Sequence, residues 1–316
     1  MNITIYAPAT TANLAAGFDS LGAALEPEGG ELWGDSVEIE PASESELVLR
    51  GVTAKLLPAN PKDNLVWIAW NNFSEALTHK GENAKTARVV LNKNLPVSSG
   101  LGSSASSIVA ALVALNKFHN NILTQNELLL LAGKTEGHAS GTLHFDNVAP
   151  CLLGGIQLVM QKSSEELSPC VALPFAESWR LVVVHPHCEL STKKARGVLP
   201  TQVPLAIAVG QAQLLAGLVA ALFKNDEQLL RTSAHDLIAE PARAELVPGY
   251  KTVKAAAMAA GALACNLSGS GPSVFAWVHK ERAQAVLLSM TDAFAQHDLQ
   301  SDGHVCKLDM RGARQI

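Results

Sequence analysis

Apolar and polar side chains alternate over residues 2–7, which predicts a strand, and shorter strand-like runs follow at 36–40 and 47–49. The period then changes. Val66, Ala69, Trp70, Phe73 and Leu77 recur at helical spacing within 64–77. A strand at 87–91 leads into a loop rich in glycine and serine, and helices are expected over 104–118 and 124–136. Thr124, with Glu127 three residues on, forms a capping box at the start of the second helix. Residues 151–159 read as a strand around Gly154 and Gly155. In the second half, 179–185, 273–279 and 303–308 have strand character, while 203–223, 226–238, 252–264 and 280–296 have helical character. This order predicts an α+β chain with two sandwich-like lobes, 1–160 and 161–316, joined by the polar run 161–166.

One stretch tests the soluble reading. Residues 205–223 carry no charge, but Gly210, Gln211, Gln213 and Gly217 interrupt them and Pro204 precedes them. The expectation is a buried helix and no membrane span. Hydrophobic residues make up 48% of the 316 and charged residues 17%, which excludes a disordered chain. The net charge is −5 with no basic stripe, so no nucleic-acid partner is expected. Cys151, Cys170, Cys188, Cys265 and Cys306 are scattered, with no C-x-x-C pair. That fits a reducing, cytoplasmic setting and gives no zinc pattern. No charged and apolar leader precedes the first strand, so no signal peptide is expected.

Candidate chemistry concentrates in the loop at 95–107, LPVSSGLGSSASS, which runs straight into an apolar helix. Glycine lets backbone approach an anion closely, and the free N–H groups of a helix start face such an anion with the positive end of the dipole. The segment therefore reads as a phosphate cradle, although it lacks the spacing of a P-loop or of a dinucleotide fingerprint. A flexible approach to an N-cap is the plain structural alternative. Two further glycine-bearing segments stand at 8–22, PATTANLAAGFDSLG, and at 266–275, NLSGSGPSVF. The first holds Asn13 and Asp19 in a loop, and the second is expected to join a helix to a strand. Each alone is consistent with a turn or a cap.

Together and in this order, the three segments resemble the GHMP small-molecule kinases, over essentially the whole chain. Their wording is most similar to the homoserine kinase branch of that family, as are HFDNVAP at 144–150, STKKAR at 191–196 and EPARAELVPGY at 240–250. DNLVW at 63–67 resembles the family's adenine-side segment. The resemblance implies the two-domain GHMP kinase fold, with an N-terminal ATP-binding domain, a C-terminal α/β sandwich domain and the site in the cleft. It implies ATP contacts from Asn64, Val66, Lys93, Pro96, Ser98, Ser99, Gly100, Leu101, Gly102, Ser103, Ser104, Ser106 and Gly269. It implies Mg²⁺ ligands in Ser104 and Glu136, and L-homoserine contacts from Asn13, Asp19, His144, Arg196 and Arg243. Glu136, Asp146 and Asn147 would be catalytic, with Asp146 a candidate base and the phosphate itself the alternative proton acceptor. The implied product is O-phospho-L-homoserine, on the way to threonine, and the implied assembly is a homodimer.

Elementary chemistry agrees with that distribution. An ammonium group is matched by a carboxylate such as Asp19, and a carboxylate by planar guanidinium groups such as Arg196 and Arg243. Glu136 is expected at the end of the 124–136 helix, where a carboxylate is disfavoured unless a cation faces it. Lys93 is expected either to face the phosphates or to stand solvated at a strand end. Two rivals are a GHMP kinase for another small alcohol, such as mevalonate or a sugar, and a non-catalytic ligand-binding regulator on the same fold. Neither alternative alcohol has an ammonium group, and a regulator is expected to have lost the Mg²⁺ ligands or the cradle. L-Threonine shares the amino-acid head and a hydroxyl with homoserine, so it is expected to compete.

Overall fold

A computed structural model describes residues 2–58, 60–140, 143–160 and 170–316. The polar run 161–166, expected to join the lobes, lies outside the described residues. Within them the elements run β1 (Ile3–Pro8), β2 (Thr10–Ala12), β3 (Leu21–Pro27), β4 (Gly34–Pro41), β5 (Glu46–Arg50), α1 (Leu65–His79), β6 (Ala87–Asn92), α2 (Ser103–Phe118), α3 (Gln125–Ser140), α4 (Val148–Leu153), β7 (Ile156–Leu158) and β8 (Val171–Leu173). They continue as β9 (Trp179–Pro186), α5 (Thr192–Gly197), α6 (Leu205–Lys224), α7 (Glu227–Ser233), α8 (Ala239–Arg243), α9 (Tyr250–Ala259), β10 (Ala264–Leu267), β11 (Val274–His279), α10 (Ala283–Ala295), β12 (Ser301–Leu308) and β13 (Arg314–Gln315).

The strands form two sheets. One has the order β13-β1-β4-β6-β5, with β5 parallel to β6 and the other pairs antiparallel. Its inward residues Ile5, Val37, Ile39, Val89 and Leu91 pack with Val66, Phe73 and Leu77 of α1 and with Ile108, Ala111 and Leu115 of α2. The other sheet has the order β10-β11-β9-β12-β3-β7-β8, with β2 paired to β3. It is covered on both faces, so successive residues of β9 enter different cores. Leu181 and Val183 join one core with Leu218 and Leu222 of α6, while Val182 and Val184 join another with Val253 of α9 and Val286 of α10. The run VVV in β9 is thus accounted for by burial on two sides. Three strands from before residue 160, β2, β3 and β7, belong to this second sheet.

Four sequence expectations change here. Residues 151–159 are not one strand. Cys151 lies in α4, and only Ile156–Leu158 is extended, because Gly154 and Gly155 turn the chain at φ values of 80° and 64°. The segment 266–275 joins β10 to β11, and no helix enters it, since the helix expected over 252–264 ends at Ala259. Helix α3 runs on to Ser140, so Glu136 lies a turn inside it and not at its end. Finally, α6 is not a buried helix. Only Leu218, Ala221 and Leu222 are buried, whereas Leu205, Val209 and Phe223 are 80%, 48% and 63% exposed. It is long and apolar enough to cross a membrane by length and composition.

Candidate active site

The three glycine segments meet backbone to backbone. Thr10 N–H donates to Leu101 O, Gly269 N–H to Ala12 O and Ser273 N–H to Ser99 O, at 3.0, 3.2 and 3.1 Å. The Ser268 hydroxyl donates to Gly100 O at 2.6 Å and lies 2.8 Å from Thr11 Oγ1. This closeness requires glycine at two places. Gly100 has φ 78°, and a Cβ there would stand 2.4 Å from Ser268 O. Gly102, the residue capping α2, has φ 62°, and a Cβ would stand 1.9 Å from Thr10 Oγ1. A left-handed backbone with no room for a side chain admits only glycine. The first and third segments therefore form walls against the glycine loop expected to be the cradle.

Lys93 does not face the cradle as a free cation, nor is it solvated. It is 1% exposed, and its ammonium group donates to Asp35, to Ser103 O at 2.8 Å and to Ser103 Oγ at 2.6 Å. All three N–H donors are used inside the fold. Burial draws the Lys93 ammonium below its usual pKa, and Asp35 opposes that shift. Asp35 in turn accepts from the backbone N–H groups of Asn94 and Leu95 and from the Ser107 hydroxyl. The pair thus ties the strand end before the loop to the first turn of α2 after it. Asp35 carries no motif. Its only signal in the sequence is a carboxylate at the head of a strand that alternates inward.

At the mouth of α2 the Ser104 hydroxyl donates to Glu136 Oε1 at 2.7 Å. Burial raises the Glu136 carboxyl above its usual pKa, and the Ser104 hydrogen bond and the Lys93 charge oppose this. A hydroxyl and a carboxylate side by side are hard oxygen donors, and Mg²⁺ takes one or two such groups while keeping waters. The pair fits Mg²⁺ in number and chemistry.

A second group of charged residues converges around Asp19. Arg196 NH2 donates to Asp19 Oδ1 at 2.9 Å and to His144 Nδ1 at 3.0 Å. Burial lowers the His144 pKa to about 4, with Asp19 opposing, so the imidazole is neutral near pH 7 and Nδ1 is the acceptor. Arg243 is buried and donates from Nε to Ala195 O and from NH1 to Gly269 O. Both guanidinium groups sit over the ring of Phe18, at 5.9 and 5.3 Å from its centroid. Asn13, with φ 71°, accepts from Asp19 N–H and donates to Gly269 O. Asp146 is buried, and desolvation with the nearby Asp19 charge pushes its pKa up to about 7. Asn147 Oδ1 accepts from Thr10 Oγ1 at 2.8 Å.

A single cavity of about 480 Å³ unites these groups. It is lined by Asn13, Asp19, Asn64, Lys93, Ser98, Ser99, Gly100, Gly102, Ser103, Ser104, Glu136, His144, Asp146, Asn147, Arg196, Arg243 and Gly269. Val66, Pro96, Leu101 and Ser106 do not line it. Val66 lies in the core of the first sheet and Leu101 in the second-sheet core that holds Leu181 and Val183, and the Ser106 hydroxyl is spent on Ala7 O and Asp35 N–H. Sequence reasoning missed the apolar wall of Leu57, Pro58, Ile68 and Leu91 beside Asn64. Only helical periodicity could have put Ile68 of α1 near Asn64, and nothing local marks the others.

Comparison with known proteins decides the lineage. The family models described as "GHMP kinases N terminal domain" and "GHMP kinases C terminal" match residues 64–155 and 218–296. The chain belongs to the GHMP kinase family. Among solved structures of GHMP kinases, it is similar to the homoserine kinase from Cytophaga hutchinsonii at 38% identity, with a TM-score of 0.89, covering 100% of this chain and 97% of that one. The mevalonate kinase from L. major, solved with R-mevalonate, is 18% identical with a TM-score of 0.67, covering 95% and 94%. The Lactococcus lactis galactokinase, solved with galactose, is 15% identical with a TM-score of 0.65, covering 100% and 95%. The last two share the GHMP kinase fold.

Proposed function

We propose that this GHMP kinase transfers the γ-phosphoryl group of ATP to the side-chain hydroxyl of L-homoserine, giving O-phospho-L-homoserine and ADP. The observation that carries this reading is Arg196. One of its nitrogens is bound to Asp19 and His144, while its Nε is buried with no hydrogen-bond partner among the described residues. An orphaned guanidinium N–H beside a carboxylate, in a cavity it shares with the glycine loop, suits an α-amino acid head group. The substrate carboxylate would engage Arg196 and Arg243, and its ammonium group Asp19. The full-length identity of 38% to a homoserine kinase supports the same substrate.

The adenine base fits the apolar wall at Leu57, Ile68 and Leu91, with Asn64 at its edge. The N–H groups of the loop from Ser99 to Ser104, apart from that of Leu101, which donates to Ser99 Oγ, would face the phosphates. Ser104 and Glu136 would hold Mg²⁺, which when bound neutralises phosphate charge. The homoserine hydroxyl oxygen then attacks the γ-phosphorus, the bond to the β–γ bridging oxygen breaks, and ADP leaves. Asp146 takes the hydroxyl proton, a role its pKa of about 7 suits. Asn147 and Asn13 orient the acceptor, and neutral His144 holds Arg196 in place.

The division into 1–160 and 161–316 is proposed as one of labour, with the glycine loop before the boundary and its third wall segment, Arg196 and Arg243 after it. Five free cysteines suit a reducing cytoplasm. A homodimer is proposed on the exposed apolar face of α6, since such faces mark interaction surfaces.

The test is ADP release from Mg·ATP with L-homoserine, mevalonate and galactose offered separately, and phosphorus NMR of the product. Turnover with homoserine alone, abolished in Arg196→Met, is expected. Turnover with another alcohol would discard the substrate, and nucleotide binding without turnover on any of the three would favour a regulator.

A further inference from the structure

Lys193 has no role so far, and the burial of Lys93 gives it one. Phosphoryl transfer spreads charge over three γ-phosphoryl oxygens, which cationic side chains neutralise. Among the described residues, four lysines and arginines line the cavity: Lys93, Lys193, Arg196 and Arg243. Lys93 spends its three donors on Asp35 and Ser103. Arg196 is paired to Asp19, and Arg243 is bound to two backbone carbonyls. Lys193 is exposed, and its side chain has no hydrogen bond or ion pair with the described chain. It stands three residues before Arg196 on α5, so the two share one helix face. That face carries Arg196 to the substrate side, and Lys193 lines the same cavity as Ser99, Ser104 and Glu136.

We propose that Lys193 is the cation that contacts the γ-phosphoryl group of bound nucleotide. The inference rests on the phosphoryl-transfer reading but not on the identity of the alcohol. A flexible lysine acts on phosphate as a point charge, and being unpaired it loses no existing contact on engaging. The neighbouring Lys194 is exposed and does not line the cavity, which makes it an internal control.

The test is calorimetric binding of Mg·AMP-PNP and of Mg·ADP to the full-length protein. Lys193→Met is expected to weaken AMP-PNP by about tenfold while leaving ADP within about twofold, because only the first ligand carries the γ-group. Lys193→Arg should recover most of the loss, and Lys194→Met should change neither affinity. An AMP-PNP affinity in Lys193→Met within about twofold of wild type, or an equal loss for both nucleotides, would overturn the proposal. These affinities are read without any acceptor alcohol, so failure of the homoserine assignment leaves the readout unchanged.

Discussion

Lys93 and Asp35 form an ion pair sealed from solvent directly beneath the glycine loop. A buried pair need not stabilise relative to apolar residues, but removing one partner leaves a charge with nothing to compensate it. Asp35→Ala is therefore expected to destabilise the fold by about 3–5 kcal/mol in urea unfolding. The double variant Asp35→Leu with Lys93→Met should lose much less than the sum of the single losses. Strict additivity would show that the two groups are not coupled.

Asp146 gives the reaction a pH signature. Its pKa is raised to about 7, so it is protonated below that pH and ionised above it. A base works in the ionised form, and kcat/KM should fall about tenfold per pH unit on the acid side of about pH 7. Asp146→Asn should lower kcat by about a hundredfold and flatten that limb. A variant that keeps nearly all of its kcat would assign the proton to the phosphate.

Threonine offers the groups that Asp19, Arg196 and Arg243 are proposed to hold. L-Threonine is expected to raise the apparent KM for homoserine and leave that for Mg·ATP unchanged. Arg196→Met should weaken threonine and homoserine together. A threonine titration with no change in homoserine KM sinks this prediction.

Helix α6 exposes Leu205 and Val209 at 80% and 48%. Sedimentation should find the wild-type chain as a dimer, and Leu205→Glu with Val209→Glu should yield a monomer without loss of folded signal. A monomeric wild type at micromolar concentration would remove α6 as a dimer surface.

The sequence by itself determined the parts whose physics is local. Helix α1 was legible because its apolar spacing spans many residues, and the capping box is made, with Glu127 Oε2 accepting from Thr124 N–H. The cradle was legible because a left-handed backbone there tolerates only glycine, as Gly100 and Gly102 show. Arg196 and Arg243 stood out only through the resemblance of their segments.

Tertiary structure decided what depends on distant partners. Asp35 lies 58 residues from Lys93, and no spacing rule connects a carboxylate on β4 to an ammonium that follows β6. The segment 266–275 turned out to be a hairpin because Ala264–Leu267 pairs with β11, a choice made by the sheet. An apolar helix is equally apolar whether buried or exposed, so composition could not tell that α6 meets the core through its C-terminal half, from Leu214 on. Lys93 and Lys193 are the sharpest case. Both are lysines beside motifs, and only the arrangement of neighbours made one a buried strut and left the other facing the cavity.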